Sequence, residues 1–139
     1  MVQLIVGKKG KSKTKCLLDK VNSEVNNVLG SVVYLDKSTK HMFELNNKVR
    51  LIDVTEYLIS DTDEFIGFVS GIISQDHDLQ QMYLDSFLKI AFLDGEDITK
   101  AIDRLKALSE KFNVDFIISV SMDEGEIPEA VKPEIAVSL

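Results

Sequence analysis

Leu4-Ile5-Val6-Gly7-Lys8-Lys9-Gly10-Lys11-Ser12-Lys13-Thr14 is the stretch on which the reading of the fold turns. Three apolar residues of strand type run into a loop with two glycines, and the loop runs without interruption into a helical pattern. Over residues 13–29 the apolar side chains Leu17, Leu18, Val21, Val25, Val28 and Leu29 recur at helical spacing, and Gly30 stands where a C-terminal cap is expected. Strand, tight loop and helix in that order form the first part of a strand–helix–strand unit, the building block of parallel sheets.

The same alternation continues outward. After a first strand over residues 2–6, apolar runs of strand length follow at 32–35, 49–52, 81–84, 115–120 and 134–138. Most are continuously apolar, as expected for strands covered on both faces. A second helix is predicted to begin at Asp61, with Glu64 three residues on as a capping box, and to bury Phe65, Ile66, Val69, Ile72 and Ile73. A third is predicted over 97–112, with an apolar stripe from Ile98 to Phe112. The expectation is an α/β fold of three layers, a mostly parallel sheet of five to six strands with helices on both faces, in a single domain over residues 1–139.

Composition narrows the function. With 139 residues, 45% hydrophobic, two prolines and seven glycines, the chain can bury one sizeable core. Sixteen Lys and Arg against 23 Asp and Glu give a net charge of −7, which excludes a generally basic nucleic-acid binder. The charge is uneven: residues 1–20 carry +5 and the remainder −12. A single cysteine, Cys16, cannot form an intramolecular disulfide, and no zinc-site spacing is present. No apolar run approaches the roughly 20 residues of a membrane span and no export signal precedes the first strand, so a cytoplasmic location is expected.

The opening stretch resembles a phosphate-binding P-loop, whose pattern is Gly, four residues, Gly-Lys and then Ser or Thr. Gly7, Lys13 and Thr14 fall in register, Gly10 is an inner glycine, and Ser12 replaces the second glycine of the pattern. Consecutive backbone N–H groups must turn inward around a phosphate, and the helix N-terminus adds partial positive charge. The candidate cradle for ATP or another nucleoside triphosphate is therefore Gly7, Lys8, Lys9, Gly10, Lys11, Ser12, Lys13 and Thr14. Lys13 would reach the β- and γ-phosphates, and the Thr14 hydroxyl would bind the bridging magnesium, Mg2+. A side chain at Ser12 crowds the phosphates or strains the turn. The competing explanation is an exposed lysine-rich turn, and for Lys8, Lys9 and Lys11 a solvated loop rim is favoured over a dedicated contact to an anionic partner.

A P-loop also needs a carboxylate at the end of another strand to hold the metal. Asp36, Asp53 and Asp85 each end an apolar run, and Asp85, which follows a full helical crossover, is the candidate metal residue. Acids at strand ends also cap turns, and that alternative stands for all three.

Leu84-Asp85-Ser86 resembles the magnesium-binding strand of the RecA-like recombinase ATPases, and the order of parts over residues 1–121 is similar to theirs. The resemblance implies that Asp85 helps bind magnesium, that an acid near Asp36 polarises the attacking water, and that Ser119 or Ser121 senses the γ-phosphate. In that family the base is usually a glutamate near the second strand, whereas here Lys37 follows Asp36. The chain is also similar to short bacterial P-loop ATP-binding proteins of unassigned role, some labelled twitching-motility-like. The arginine and histidine boxes of the long motility ATPases are missing from it.

Other chemistry-bearing residues read as structural. His41 and His77 sit in polar surroundings and read as surface groups, Cys16 as packing, and residues 123–126 as a solvated acidic loop. Arg50 and Arg104 are the only arginines, which leaves few candidates for an arginine finger. The expected function is an ATP- and Mg2+-binding P-loop protein, at most a slow ATP hydrolase with Lys13 and Asp36 as catalytic residues. The alternative is a regulatory or scaffold protein with a degenerate P-loop, signalling through a protein partner or a second copy. Nucleic acid is disfavoured, because the acidic body repels a long polyanion and no aromatic residues interleave with the lysines.

Overall fold

Apolar runs of five or six residues bounded by turn-forming residues become the strands of one sheet, and its alternating faces separate the core into two parts. The computed structural model describes residues 1–10 and 12–139, so Lys11 of the expected cradle lies outside the described residues. In chain order the elements are β1 (Val2–Val6), α1 (Lys13–Glu24), β2 (Ser31–Asp36), β3 (Val49–Asp53), α2 (Thr62–Gln75), β4 (Leu79–Leu84), α3 (Phe87–Ile90), α4 (Thr99–Phe112), β5 (Asp115–Val120) and β6 (Ile135–Ser138), joined in places by short 3-10 turns. The six strands lie in the order β3-β2-β4-β5-β1-β6. Every pairing is parallel, so the expected mostly parallel sheet is parallel throughout.

Because side chains alternate along a strand, each strand feeds both cores. Leu4 and Val6, Val33 and Leu35, Met82 and Leu84, Phe116 and Ile118 pack with Phe65, Ile66 and Val69 of α2 and Ile102 and Leu105 of α4. On the other face Ile5, Tyr34, Tyr83 and Ile117 meet Leu17, Leu18 and Val21 of α1. The result is the expected three layers, with α2 and α4 on one side and α1 on the other.

The helix starts follow from local chemistry. Asp61 caps α2, its carboxylate accepting from the Glu64 amide at 2.8 Å. The reciprocal half of the expected capping box is shifted by one residue, since Glu64 accepts from the backbone N–H of Ser60 at 2.6 Å.

Two expectations fail at helix ends. Helix α1 stops at Glu24 and passes into a 3-10 turn, Val25–Asn27, rather than running on to residue 29. Leu29, expected on the buried stripe, is fully exposed. Gly30 is required for a different reason from a cap: a Cβ there would stand 1.9 Å from the Asp78 carbonyl oxygen, so only glycine lets the two backbones pass. At the end of α4 the stripe fades, and Phe112 is 48% exposed with the Lys111 ammonium 5.6 Å from its ring centre. Among the described residues no helix is long and apolar enough to cross a membrane.

Candidate functional site

Register brings the strand-end acids together. Asp36 on β2 lies beside Asp53 on β3. Leu35 pairs with Leu84 and Leu84 with Ile118, so the residues that follow, Asp36, Asp85 and Ser119, come side by side along the carboxyl edge of the sheet. Val6 pairs with Val120, which puts the loop after β1 at the end of the same row. In open parallel α/β sheets this edge is where ligands bind, next to the strands at which chain direction reverses. Here β2 hands the chain toward β3, while its neighbour β4 hands it the other way toward β5.

Asp85 is the hub of the site and only 2% exposed. Its Oδ1 accepts from the Ser119 hydroxyl at 2.7 Å, from the Ser86 amide at 2.9 Å and from the Thr14 hydroxyl at 3.2 Å. Its Oδ2 accepts from the Tyr34 hydroxyl at 2.7 Å. Ser86 adopts a left-handed backbone, φ 54°, which turns its N–H back onto Asp85 and onto the Ser119 oxygen. Four donors keep this buried carboxylate satisfied and fix its plane. Tyr34 is the member that the sequence concealed, because a tyrosine inside Val32-Val33-Tyr34-Leu35 reads as core. It is indeed core by its ring, which stacks on Tyr83 with centroids 6.0 Å apart, and joins the cluster only at its hydroxyl tip. Burial and the adjacent Asp85 carboxylate push the Tyr34 hydroxyl far above its ordinary range, so it acts as a donor.

The loop over this hub is wound tightly. Gly10 has φ 81°, and Ser12, at the N-cap of α1, has φ 64°. The residue that replaces the expected glycine therefore holds a backbone that glycine adopts freely, at a cost of roughly 1–2 kcal/mol for a residue with a Cβ. The Gly7 amide is committed elsewhere, donating to the Met122 carbonyl at 2.9 Å. Lys13 is 7% exposed, and its ammonium donates to the Lys8 carbonyl at 2.8 Å. Burial pulls its pKa below the usual lysine value, and the Asp85 charge pulls it partly back.

Asp36 is 3% exposed. Desolvation first, and then the charge of Asp85, push its carboxyl up to about 6, against the stabilising hydrogen bond from the Lys37 amide at 2.7 Å. Asp53 has the structural role left open for it: its Oδ1 accepts from the Thr55 amide at 3.0 Å and the Thr55 hydroxyl at 2.6 Å, a turn cap at the end of β3.

Between Lys13 and Asp85 opens a cleft of about 410 Å³, and neither Asp36, the expected catalytic acid, nor Asp53 lines it. Lys9, Gly10, Ser12, Lys13 and Thr14 line it from the loop, Asp85, Ser119 and Ser121 from the sheet, and Lys37 and Lys89 from the opposite rim. Neither arginine lines it: Arg104 pairs with Asp63 at 2.7 Å, and Arg50 borders a separate hollow beside Lys48 and Asp78. His41 is paired with Glu44 at 2.7 Å, and Cys16 packs against the α1 core.

Among the described residues no three His, Cys, Asp or Glu side chains gather to hold a metal by themselves. One hydroxyl, Thr14, beside one carboxylate, Asp85, is a donor set that suits magnesium completed by phosphate oxygens and water. Two oxygens bound side by side to such an ion lie about 3 Å apart, and the 3.2 Å between these two fits. The geometry thus defines a parallel α/β protein with a cationic loop over a carboxylate-centred cleft. Comparison with protein-family models and with curated proteins finds no match for the chain.

Proposed function

We propose that this chain is a P-loop protein that binds ATP, or another nucleoside triphosphate, together with magnesium, and turns it over slowly at most. The observation that carries the reading is the contact between Thr14 and Asp85, 71 residues apart in sequence, directly beside the buried Lys13. A lysine-rich surface turn has no reason to bury its lysine or to set its next hydroxyl on a strand-end carboxylate. The loop backbone and the start of α1 would hold the inner phosphates, and Lys13 would exchange its contact with the Lys8 carbonyl for phosphate oxygens. Thr14 and Asp85 would hold the metal, which supplies charge neutralisation to the phosphates. Asp36, the expected base, is buried behind Lys37 and does not line the cleft, which accords with turnover that is slow at most.

The scaffold reading also has support. Lys13 is satisfied by its own loop, Asp85 has four internal donors, and the strained Ser12 departs from the P-loop pattern. Thermal unfolding with and without magnesium-ATP separates the two. Ligand at 100 times its dissociation constant adds about 2.7 kcal/mol to the stability of the folded state. The wild type is expected to show that upward shift and Lys13→Ala to lose it. A wild type indifferent to magnesium-ATP would end the nucleotide-binding reading, and binding without phosphate release would favour the scaffold.

A further inference from the structure

Four lysines from four places in the chain line the one cleft: Lys9 on the loop, Lys13 at the start of α1, Lys37 after β2 and Lys89 on α3. They are not equivalent. Lys89 is paired with Asp94 at 3.4 Å, and Lys13 is held by a backbone carbonyl. Lys37 is exposed, and among the described residues its ammonium has no carboxylate within ion-pair distance. Its backbone, by contrast, is pinned, since its amide donates to the Asp36 carboxylate at 2.7 Å. A flexible cation on a fixed root faces the loop across Asp85 and Ser119.

The spacing of the strands sets what that cation can reach. Three strand intervals separate β2 from β1, roughly 14 Å. Two four-carbon lysine stems, Lys13 from one side and Lys37 from the other, can span that gap with one phosphate group between them. Phosphates held by the loop would sit on the β1 side, at the end of the cleft away from Lys37. A phosphate extending past Lys13 and Thr14 toward β2 comes within reach of Lys37.

We propose that Lys37 is the residue that distinguishes a nucleoside triphosphate from a diphosphate, by clamping the terminal phosphate against Lys13. This rests on the nucleotide-binding reading and specifies it. It also gives a role to Lys37, the residue that follows the candidate base Asp36: it recognises the terminal phosphate and takes no part in activating water.

The experiment is calorimetric titration, with magnesium, of ADP and of a non-hydrolysable triphosphate analogue into wild type, Lys37→Ala, Lys37→Arg and Lys89→Ala. Loss of one charge-assisted contact should weaken triphosphate binding to Lys37→Ala by about tenfold while leaving ADP binding within about twofold. Lys37→Arg should keep the preference, and Lys89→Ala should leave the ratio of the two affinities unchanged. Equal weakening of both ligands in Lys37→Ala, or no weakening, would overturn the clamp and leave nucleotide binding intact. A folded wild type that binds neither ligand would overturn both.

Discussion

A carboxyl group held at 3% exposure beside a second buried carboxylate titrates late, and for Asp36 that has a sign that can be worked out. Its folded pKa of about 6 lies above the ordinary value of 3.8, so between those values the native state holds more of the proton than the unfolded chain does. Stability therefore falls as pH rises through that window, and above it the fold carries a penalty of up to about 3 kcal/mol. Asp36→Asn keeps an oxygen for the Lys37 amide and removes the charge. In the absence of ligand it is expected to unfold at higher denaturant concentration than wild type at pH 7.5, with the difference closing toward pH 4. Denaturant titrations at the two pH values check this, and equal midpoints at pH 7.5 would mean that water or a cation relieves the buried charge.

Gly30 shows how a connection, rather than a core side chain, fixes where a strand begins. Its amide donates to Gln80 at 2.7 Å and the next amide, on Ser31, to the Asp78 carbonyl at 2.8 Å, so β2 starts against the turn that leads into β4. With the Asp78 oxygen 1.9 Å from any Cβ, Gly30→Ala must push two backbones apart and should cost about 1–3 kcal/mol, readable as a lowered denaturation midpoint. From the sequence alone this glycine looked like a helix cap, because only the pairing partner across the sheet reveals the clash. The strands were readable for a simple reason: a run apolar on both faces, as in 32–35, leaves little choice of structure. The end of α1 was not, since Val28 and Leu29 continue the helical spacing while the backbone leaves it. The candidate site divides along the same line. The loop and the three acids stand out locally, whereas their alignment depends on register, and Tyr34 joins them only through a tertiary contact.

Charge and topology together determine what the molecule presents. The cationic loop sits over the carboxyl edge of an acidic body, so its field is local, and at ordinary ionic strength it is screened within about 10 Å. That range covers one small anion bound in the cleft, which is the scale on which the proposed polyphosphate would feel it. Asp85 is also tied to both cores, through Tyr34 on the α1 face and through its place directly after Leu84, which packs toward α2 and α4.

The placing of β1 carries a consequence for assembly. Its two neighbours are β5 and β6, so Val2 waits for Phe116 and Leu4 for Ile135 before either edge is paired. A ribosome delivers this strand well before either partner. Until they arrive, an apolar ribbon and the lysine loop behind it have no sheet to join, the kind of long-range pairing that folds slowly and exposes sticky edges. The amides of Leu4 and Val6 should accordingly be among the last to gain protection in pulse-labelled hydrogen exchange during refolding, after those of β2 and β4. Early protection there would point to assembly starting from the two ends of the chain.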